Sequence, residues 1–114
     1  MGTGRKRLGA VGEQLAVIVY EQEGFTVLAR NWRCRQGELD LIVGRGDLVV
    51  FVEVKSRSSL AYGHPLEAVT PLKQARLRRL AALWLAATGT GWAHVRFDVV
   101  AVLAGRIEVV ADAF

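Results

Sequence analysis

The sequence contains few of the residues that build disulfides and zinc sites. Among its 114 residues are one cysteine, Cys34, and two histidines, His64 and His94. A single cysteine excludes an internal disulfide, and without a second cysteine nearby a structural zinc site is not expected. The histidines have no partner at a recognisable spacing, so neither is assigned a catalytic role.

The sequence also lacks a hydrophobic run of membrane-spanning length. Its longest uncharged stretch, residues 80–95, contains glycine, threonine and histidine and is too short to cross a bilayer. Residues 5–7 are basic and precede an apolar stretch, as in a signal peptide, but Glu13 and Gln14 interrupt that stretch and no small-residue cleavage site follows. The sequence therefore predicts a cytoplasmic protein with no membrane partner.

What the chain does contain suits a single domain covering residues 1–114. Hydrophobic residues make up 52% of the sequence and charged residues 23%, which provides material for a core and argues against disorder. Lysine and arginine number 15 against 11 aspartate and glutamate, a net charge of +4. This basic balance favours a polyanionic partner, although it is weak support by itself.

Hydrophobic periodicity and turn residues predict an α/β fold with the element order α-β-β-β-α-β-β. The predicted helices cover residues 5–23 and 71–87, and the predicted strands cover 25–30, 38–44, 48–56, 94–103 and 106–110. A helix between two strands implies a right-handed crossover, so we expect a mixed sheet flanked by helices. The first helix is expected to bury one apolar stripe: Leu8, Val11, Leu15, Ile18 and Val19.

Three of the charged residues in the predicted strands can come together: Asp40, Glu53 and Lys55. Glu53 and Lys55 alternate with valines, so they share one face of their strand. Pairing about the turn at residues 45–46 would place Asp40 opposite Val50 or Phe51, one diagonal step from Glu53. The two carboxylates can therefore converge. The apolar neighbours of these charges are expected on the opposite faces of the strands: Leu39, Leu41, Val52 and Val54.

Two carboxylates and an ammonium among apolar residues need a physical reason. Unpaired charges cost several kcal/mol in such surroundings, about the cost of burying a polar group without a partner, and the carboxylates repel one another. A bound Mg²⁺ would resolve the repulsion, because hard cations take carboxylate oxygens and keep waters for a substrate phosphate. Lys55 could then orient or help to deprotonate an attacking water. An ion pair on a solvated sheet face explains the same residues, and the pattern alone leaves both interpretations open.

The arrangement of Asp40 followed by Glu53-x-Lys55 resembles the PD-(D/E)xK signature of restriction-endonuclease-like nucleases. The segments 37–42 and 51–57 are closely similar to the YraN-like family of small bacterial proteins, and residues 9–13 and 96–100 also match that family's pattern. The resemblance thus covers nearly the whole chain. One departure is Leu39, which stands where the superfamily signature has proline; since that proline is not a ligand, little consequence is expected.

The resemblance implies a restriction-endonuclease-like mixed sheet, similar to archaeal Holliday junction resolvases. It implies an endonuclease that hydrolyses phosphodiester bonds in nucleic acid, with DNA favoured over RNA as the substrate and with branched or single-stranded DNA included. The implied cofactor is Mg²⁺ or Mn²⁺. The resemblance is also compatible with a homodimer. Asp40 and Glu53 correspond to metal ligands and Lys55 to the residue that positions or activates water. Glu13 corresponds to a helical glutamate that joins the metal site of the resolvases, while an exposed glutamate is the alternative.

Basic residues near the predicted site are candidates for phosphate contacts. The second helix carries several in its first half, and others surround Trp32, whose ring could stack on an unpaired base or pack at the edge of the core. Solvated surfaces explain these residues equally well. The candidates for nucleic-acid binding are Arg33, Arg35, Lys73, Arg76 and Arg79.

Two other polar residues and two rival functions complete the sequence-based picture. Gln74 is a further polar candidate near the site, whereas Asp98 is expected to pair with a basic neighbour such as Arg96 rather than to bind metal. A nucleic-acid-binding module without turnover is the first rival to a nuclease. A protein-interaction scaffold, in which the charge cluster is purely structural, is the second.

Overall fold

A computed structural model describes residues 2–59, 63–89 and 91–114, with side chains described from residue 9 onward. Within these ranges the chain forms two α-helices and five strands, with a short 3-10 helix at Pro65–Ala68. None of the helices in these ranges is long and apolar enough to cross a membrane. The elements are α1 (Gly2–Gln22), β1 (Thr26–Cys34), β2 (Gly37–Arg45), β3 (Leu48–Arg57), α2 (Pro71–Thr88), β4 (His94–Leu103) and β5 (Arg106–Val110).

The helix boundaries follow local chemistry. Gly24, with φ 87°, takes the left-handed conformation that ends α1, as the sequence predicts. At the start of α2, the Thr70 hydroxyl accepts a hydrogen bond from the Lys73 N–H at 3.3 Å, and Pro71 occupies the first turn. Proline is tolerated there because the first N–H groups of a helix have no intrahelical partner. The first turn of α2 is therefore firmly positioned.

The five strands form one sheet in the order β1-β2-β3-β4-β5. β3 and β4 are parallel, with α2 in the connection between them, and the other neighbouring pairs are antiparallel. The predicted α/β class, element order and mixed sheet are confirmed.

Alternation along the strands gives the sheet two buried faces. On β3, Val49 and Phe51 pack with α2, whereas Val50 and Val52 pack with α1. Each helix therefore covers one face of the sheet. The helical residues buried in the two cores are Ala16, Val17 and Tyr20 of α1 and Leu77, Leu80, Ala81 and Trp84 of α2.

The stripe predicted to bury α1 is correct at Leu15, which packs against the core, and wrong at Val11 and Ile18. Val11 and Ile18 are 52% and 41% exposed, and Leu8 lies outside the residues whose side chains are described. The buried face instead contains Gly12, where an added Cβ would overlap the Ser56 hydroxyl of β3. The helix approaches the sheet closely at Gly12 and Ala16, and Tyr20 fills the space beside them.

β1 is longer than predicted and includes Trp32 and Arg33, whereas Arg35 lies in the turn that follows it. The strand continues through Trp32 to Cys34, and the predicted end at residue 30 is wrong. The basic side chains of this segment are exposed while Trp32 is partly buried and packs against the core beneath α2. Pairing with β2 stabilises the part of β1 beyond residue 30, which the local sequence does not predict to be a strand.

The register of the β2–β3 hairpin also differs from the prediction. Gly46, with φ 60°, makes a tight turn that pairs Arg45 with Leu48 and Ile42 with Phe51. Extending this register brings Asp40 toward Glu53 rather than Val50 or Phe51. The tighter turn therefore brings the carboxylates closer than a looser hairpin would.

Candidate metal and nucleic-acid site

Asp40 lies where β2 and β3 begin to separate. The last residue pair of their ladder on this side is Leu41 with Val52. Beyond it, Asp40 Oδ2 accepts a hydrogen bond from the Val54 backbone N–H at 2.9 Å. The carboxylate thus replaces a ladder contact and is held at the mouth of the gap between the strands.

A backbone irregularity on β1 accompanies this arrangement. The pairs of Arg30 with Leu41 and of Trp32 with Leu39 place Asn31 opposite Asp40. Asn31 has φ 51°, the left-handed conformation that asparagine tolerates better than most residues. Leu39 packs beneath α2 and Leu41 beneath α1, so the prediction that both share one face is wrong. The break in alternation along β2 falls at Asp40, where the pairing with β3 ends.

Glu53 is the buried centre of the charge cluster, with 6% of its side chain exposed. Its Oε2 lies 2.8 Å from Lys73 Nζ and 3.5 Å from Lys55 Nζ. The carboxyl groups of Asp40 and Glu53 line the same cleft and are close enough for each to shift the pKa of the other. The fold therefore brings together Asp40, Glu53 and Lys55, as expected from the sequence, and adds Lys73.

The electrostatics of Asp40 reflect crowding of negative charge. Burial, followed by the hydrogen bond and charge of Glu53, raises the pKa of Asp40 to about 8. The Val54 N–H opposes this shift, and the negative charge of Glu13 adds to it. A carboxyl group at this position is easier to ionise when a cation is present.

The pKa values of the other three charged groups shift in different directions. Burial tends to raise the pKa of Glu53, but the hydrogen bonds from Asp40 and Lys73 and the two lysine charges outweigh it and lower the pKa. Burial and the neighbouring Lys73 lower the pKa of Lys55. Burial also acts to lower the pKa of Lys73, yet its ion pair with Glu53 prevails and raises it. Lys73 is consequently the principal cation of Glu53, and Lys55 is the more readily deprotonated amine.

These groups face an open cleft of about 310 Å³ between the sheet and α2. Arg76, exposed and one turn beyond Lys73, lines it as well. Asp40 and Glu53 form the acidic floor of the cleft, and Lys73 and Arg76 form its basic wall. Its lining residues are Gly37, Glu38, Asp40, Glu53, Val54, Lys55, Lys73, Arg76, Leu77 and Leu80.

The remaining basic candidates lie farther from the acidic floor. Arg33 pairs at 2.9 Å with Glu38, which lines the cleft, and its side chain is 77% exposed. Arg35 and Arg79 are exposed and do not line the cleft. Arg78 instead lies over the Phe97 and Phe114 rings, 5.0 and 5.3 Å from their centroids.

Glu13 is near enough to influence Asp40 electrostatically and is half-buried on α1. Within the described part of the chain, however, no three histidine, cysteine, aspartate or glutamate side chains are grouped to hold a metal ion. The geometry brings two carboxylates together and leaves the third at a distance. A role for Glu13 as a third ligand stays a prediction.

The other polar residues considered from the sequence have structural partners. Arg96 donates two hydrogen bonds to Asp98, which confirms the predicted pair. The Gln74 side-chain amide donates to the Val69 carbonyl at 3.1 Å, and Gln74 does not line the cleft. His64 pairs with Glu108 at 3.3 Å, and His94 is exposed at the start of β4.

Lys73 is the site residue whose role the sequence analysis missed, because it was expected to contact phosphate rather than Glu53. A signal for the ion pair was present in the topology. In a parallel β-α-β crossover the helix begins near the carboxyl end of the preceding strand, which is where Glu53 and Lys55 lie. The first turn of the helix is therefore the natural source of a partner for Glu53.

The chain also resembles known proteins along most of its length. A family model described as Uncharacterised protein family UPF0102 matches residues 12–102. The chain belongs to this family. The match confirms the family expected from the sequence resemblance, and every member of the charge cluster lies inside the UPF0102 region.

Individual UPF0102 proteins match over similar lengths. One from Beutenbergia cavernae is 61% identical over 99 residues, covering 87% of this chain and 84% of the relative. One from Rhodococcus jostii is 53% identical over 112 residues, covering 94% of this chain and 95% of the relative. One from Mycolicibacterium vanbaalenii is 55% identical over 105 residues, covering 92% and 87%. The chain thus corresponds to nearly the full length of these relatives.

Proposed function

We propose that this UPF0102 protein is a cytoplasmic nuclease that hydrolyses phosphodiester bonds, in DNA in preference to RNA, using Mg²⁺ or Mn²⁺. The observation that carries the proposal is the convergence of the Asp40 and Glu53 carboxyl groups beside Lys55 in one open cleft. Its fold class and order of elements are those expected of a restriction-endonuclease-like domain.

The donor set fits a hard divalent cation. Asp40 and Glu53 provide carboxylate oxygens, and two protein ligands leave positions for water and a phosphate oxygen. Burial and the neighbouring carboxyl group of Glu53 raise the pKa of Asp40, and a dication would offset both effects. Asp40 and Glu53 would hold the ion, with Glu13 as a third carboxylate. When bound, it would polarise the phosphate and lower the pKa of a bound water.

Lys55 is suited to act on the attacking water. Its ammonium lies on the same carboxylate oxygen of Glu53 as Lys73, and its side chain is only 21% exposed. Because burial and Lys73 lower the pKa of Lys55, its neutral amine is more accessible than that of an exposed lysine. Lys55 could therefore orient the water, accept its proton, or offset charge on the phosphate.

The basic wall gives a path for the nucleic-acid backbone. Lys73 and Arg76 line the cleft, and Arg79 extends the exposed basic surface along α2. Arg33 lies at the end of β1 and Arg35 in the following turn. Both would contact phosphates on the side of the cleft away from α2. The resolvases that the sequence resembles suggest a homodimer, which would place two clefts on one substrate. Sedimentation equilibrium with and without DNA tests this arrangement.

The direct test is hydrolysis of labelled single-stranded, duplex and branched DNA, and of RNA, with and without Mn²⁺. The parent should cleave at least one DNA substrate in Mn²⁺, and Asp40→Asn, Glu53→Gln and Lys55→Met should each abolish cleavage. Asp47→Asn is the matched control, because Asp47 is exposed in the turn of the same hairpin and does not line the cleft. Equal loss in Asp47→Asn, or no cleavage by the parent, would contradict the proposal.

One observation favours a second function, a nucleic-acid-binding module without turnover. Glu53 already has a cation partner in Lys73, so the cleft can present positive charge without a metal. This function predicts salt-sensitive binding of nucleic acid by the parent, unaffected by Asp40→Asn and without cleavage in Mn²⁺. The same substrate panel, measured for binding as well as cleavage, separates the two functions. An interaction scaffold predicts neither result.

A further inference from the structure

The carboxylate of Glu53 has two cationic neighbours on the same oxygen. Lys73 Nζ lies 2.8 Å from Oε2, closer than the 3.5 Å of Lys55 Nζ. A carboxylate oxygen in a metal site would face the metal, yet here it faces an ammonium. A dication on this oxygen would be repelled by both ammoniums, and most strongly by the nearer one, so a dication that binds Oε2 of Glu53 competes with Lys73.

The backbone of Lys73 is held at the start of α2, whereas its ammonium is carried on a long, flexible side chain. The hydrogen bond to the Thr70 hydroxyl holds its N–H at the start of α2, and Pro71 stiffens the same turn. Its ammonium is carried on a flexible four-carbon stem, and the side chain is 29% exposed toward the cleft. Lys55 has a more buried side chain on a central strand, which leaves it less freedom.

We propose that Lys73 is a displaceable counter-ion that neutralises Glu53 in the metal-free protein and turns to a nucleic-acid phosphate when a divalent cation takes its place. The inference rests on the proposed function. Metal binding would then free Lys73 for phosphate, and phosphate would draw Lys73 away from Glu53. Because such coupling is reciprocal, metal and nucleic acid should each strengthen the binding of the other.

The test compares two substitutions on the same helix. Lys73→Met removes the cation that contacts Glu53, and Arg76→Met removes a positive charge from the same cleft without removing that contact. In calorimetric titrations with MnCl₂ alone, Lys73→Met should bind about tenfold more tightly than the parent, within the usual range of coupling between sites. Arg76→Met should differ from the parent by less than about threefold, and Lys73→Arg should bind like the parent.

A second measurement examines the phosphate half of the inference. Binding of a fluorescent single-stranded DNA is measured with and without Ca²⁺, another cation that takes carboxylate oxygens. The parent and Arg76→Met should gain about tenfold in affinity when Ca²⁺ is added, and Lys73→Met should lose that gain. A gain retained in Lys73→Met would overturn the coupling.

The outcomes separate this inference from the proposed function. If the parent binds Mn²⁺ and cleaves DNA while Lys73→Met binds Mn²⁺ no more tightly, the inference alone fails. If the parent neither binds Mn²⁺ nor cleaves, the proposed function fails and the inference with it. Circular dichroism melts establish that each variant is folded. If Lys73→Met does not fold, Lys73→Gln replaces it, with the same tighter Mn²⁺ binding expected and unchanged binding overturning the inference.

Discussion

Two buried acidic centres of this protein use carboxylates in opposite ways. Asp98, fully buried on β4, accepts hydrogen bonds from the Tyr20 hydroxyl at 2.6 Å and from the Asp112 N–H at 2.9 Å. Arg96 adds two more, at 2.9 and 3.0 Å. These contacts join α1, β4 and the C-terminal segment. All of the acceptor capacity of Asp98 is used in holding the fold together.

Asp40 and Glu53 form the contrasting centre. Asp40 has one backbone donor and a second carboxyl group as its neighbour, and the cluster opens into a cleft. Where Asp98 is surrounded by donors, Asp40 is pushed toward its protonated form by burial and by Glu53. A carboxylate whose oxygens all accept hydrogen bonds, like Asp98, stabilises the fold. A carboxyl group with few donors and a second carboxyl group beside it, like Asp40, is suited to bind a cation.

The same chemical change at the two centres should therefore have opposite signs, and the larger effect is at Asp98. Asp98→Asn leaves Arg96 without its anion and disturbs the Tyr20 hydrogen bond, as when one partner of a buried ion pair is removed. We expect a loss of about 3 kcal/mol in the free energy of unfolding, on the scale of broken buried pairs. Urea denaturation measures it. A change below about 0.5 kcal/mol, the scale of surface substitutions, would remove the structural role assigned to Asp98.

Metal should stabilise the parent through the second centre. Mn²⁺ at one hundred times its dissociation constant should add about 2.7 kcal/mol, provided that it binds only the folded state. For a domain of this size the melting temperature should rise by about 10 °C or more. Asp40→Asn should show no such rise, whereas Asp47→Asn should respond like the parent. A parent that melts at the same temperature with and without Mn²⁺ would make Asp40 and Glu53 a structural pair.

Without metal, Asp40→Asn should leave the protein equally stable or more stable, by about 1 kcal/mol, the scale of a single hydrogen bond. The folded-state pKa of Asp40, about 8, lies above the ordinary value of 3.8. Between these values the unfolded chain has released a proton that the folded protein retains, so rising pH destabilises the parent. The advantage of Asp40→Asn should therefore grow through this window. Urea denaturation at several pH values measures it, and a destabilised variant would favour the ion-pair interpretation.

The smallest effects concern two exposed arginines of α2, Arg76 in the wall of the cleft and Arg79 beyond it. Changing Arg76 and Arg79 to alanine should weaken nucleic-acid binding to a similar extent for all sequences, because phosphate contacts carry no base information. The dependence of the logarithm of affinity on the logarithm of salt concentration should flatten by about one unit for each arginine–phosphate interaction that the substitutions remove. Fluorescence anisotropy across a salt series measures the slope. An unchanged slope would assign both residues to an ordinary solvated helix face.

Much of this organisation could be predicted from the sequence because it is encoded locally. Gly24 ends α1, and Thr70 and Pro71 begin α2. Alternation along β3 places Glu53 and Lys55 on the face opposite Val52 and Val54. The grouping of Asp40 with Glu53 was predictable because hairpin strands must pair. Each of these features depends on residues close in sequence or on a single turn.

The sequence by itself determined the order of elements and the identity of the central charged residues, whereas tertiary structure decided how they are used. The exposed Val11 and Ile18 show that apolar periodicity alone did not determine the buried face of α1, which includes Gly12 at its close approach to the sheet. Tyr20 and Asp98 are 78 positions apart, and no local pattern links them. The pairing of Lys73 with Glu53 likewise required the crossover to set α2 beside β3. Such long-range contacts depend on the packing of whole elements, which propensity and spacing along the chain do not specify.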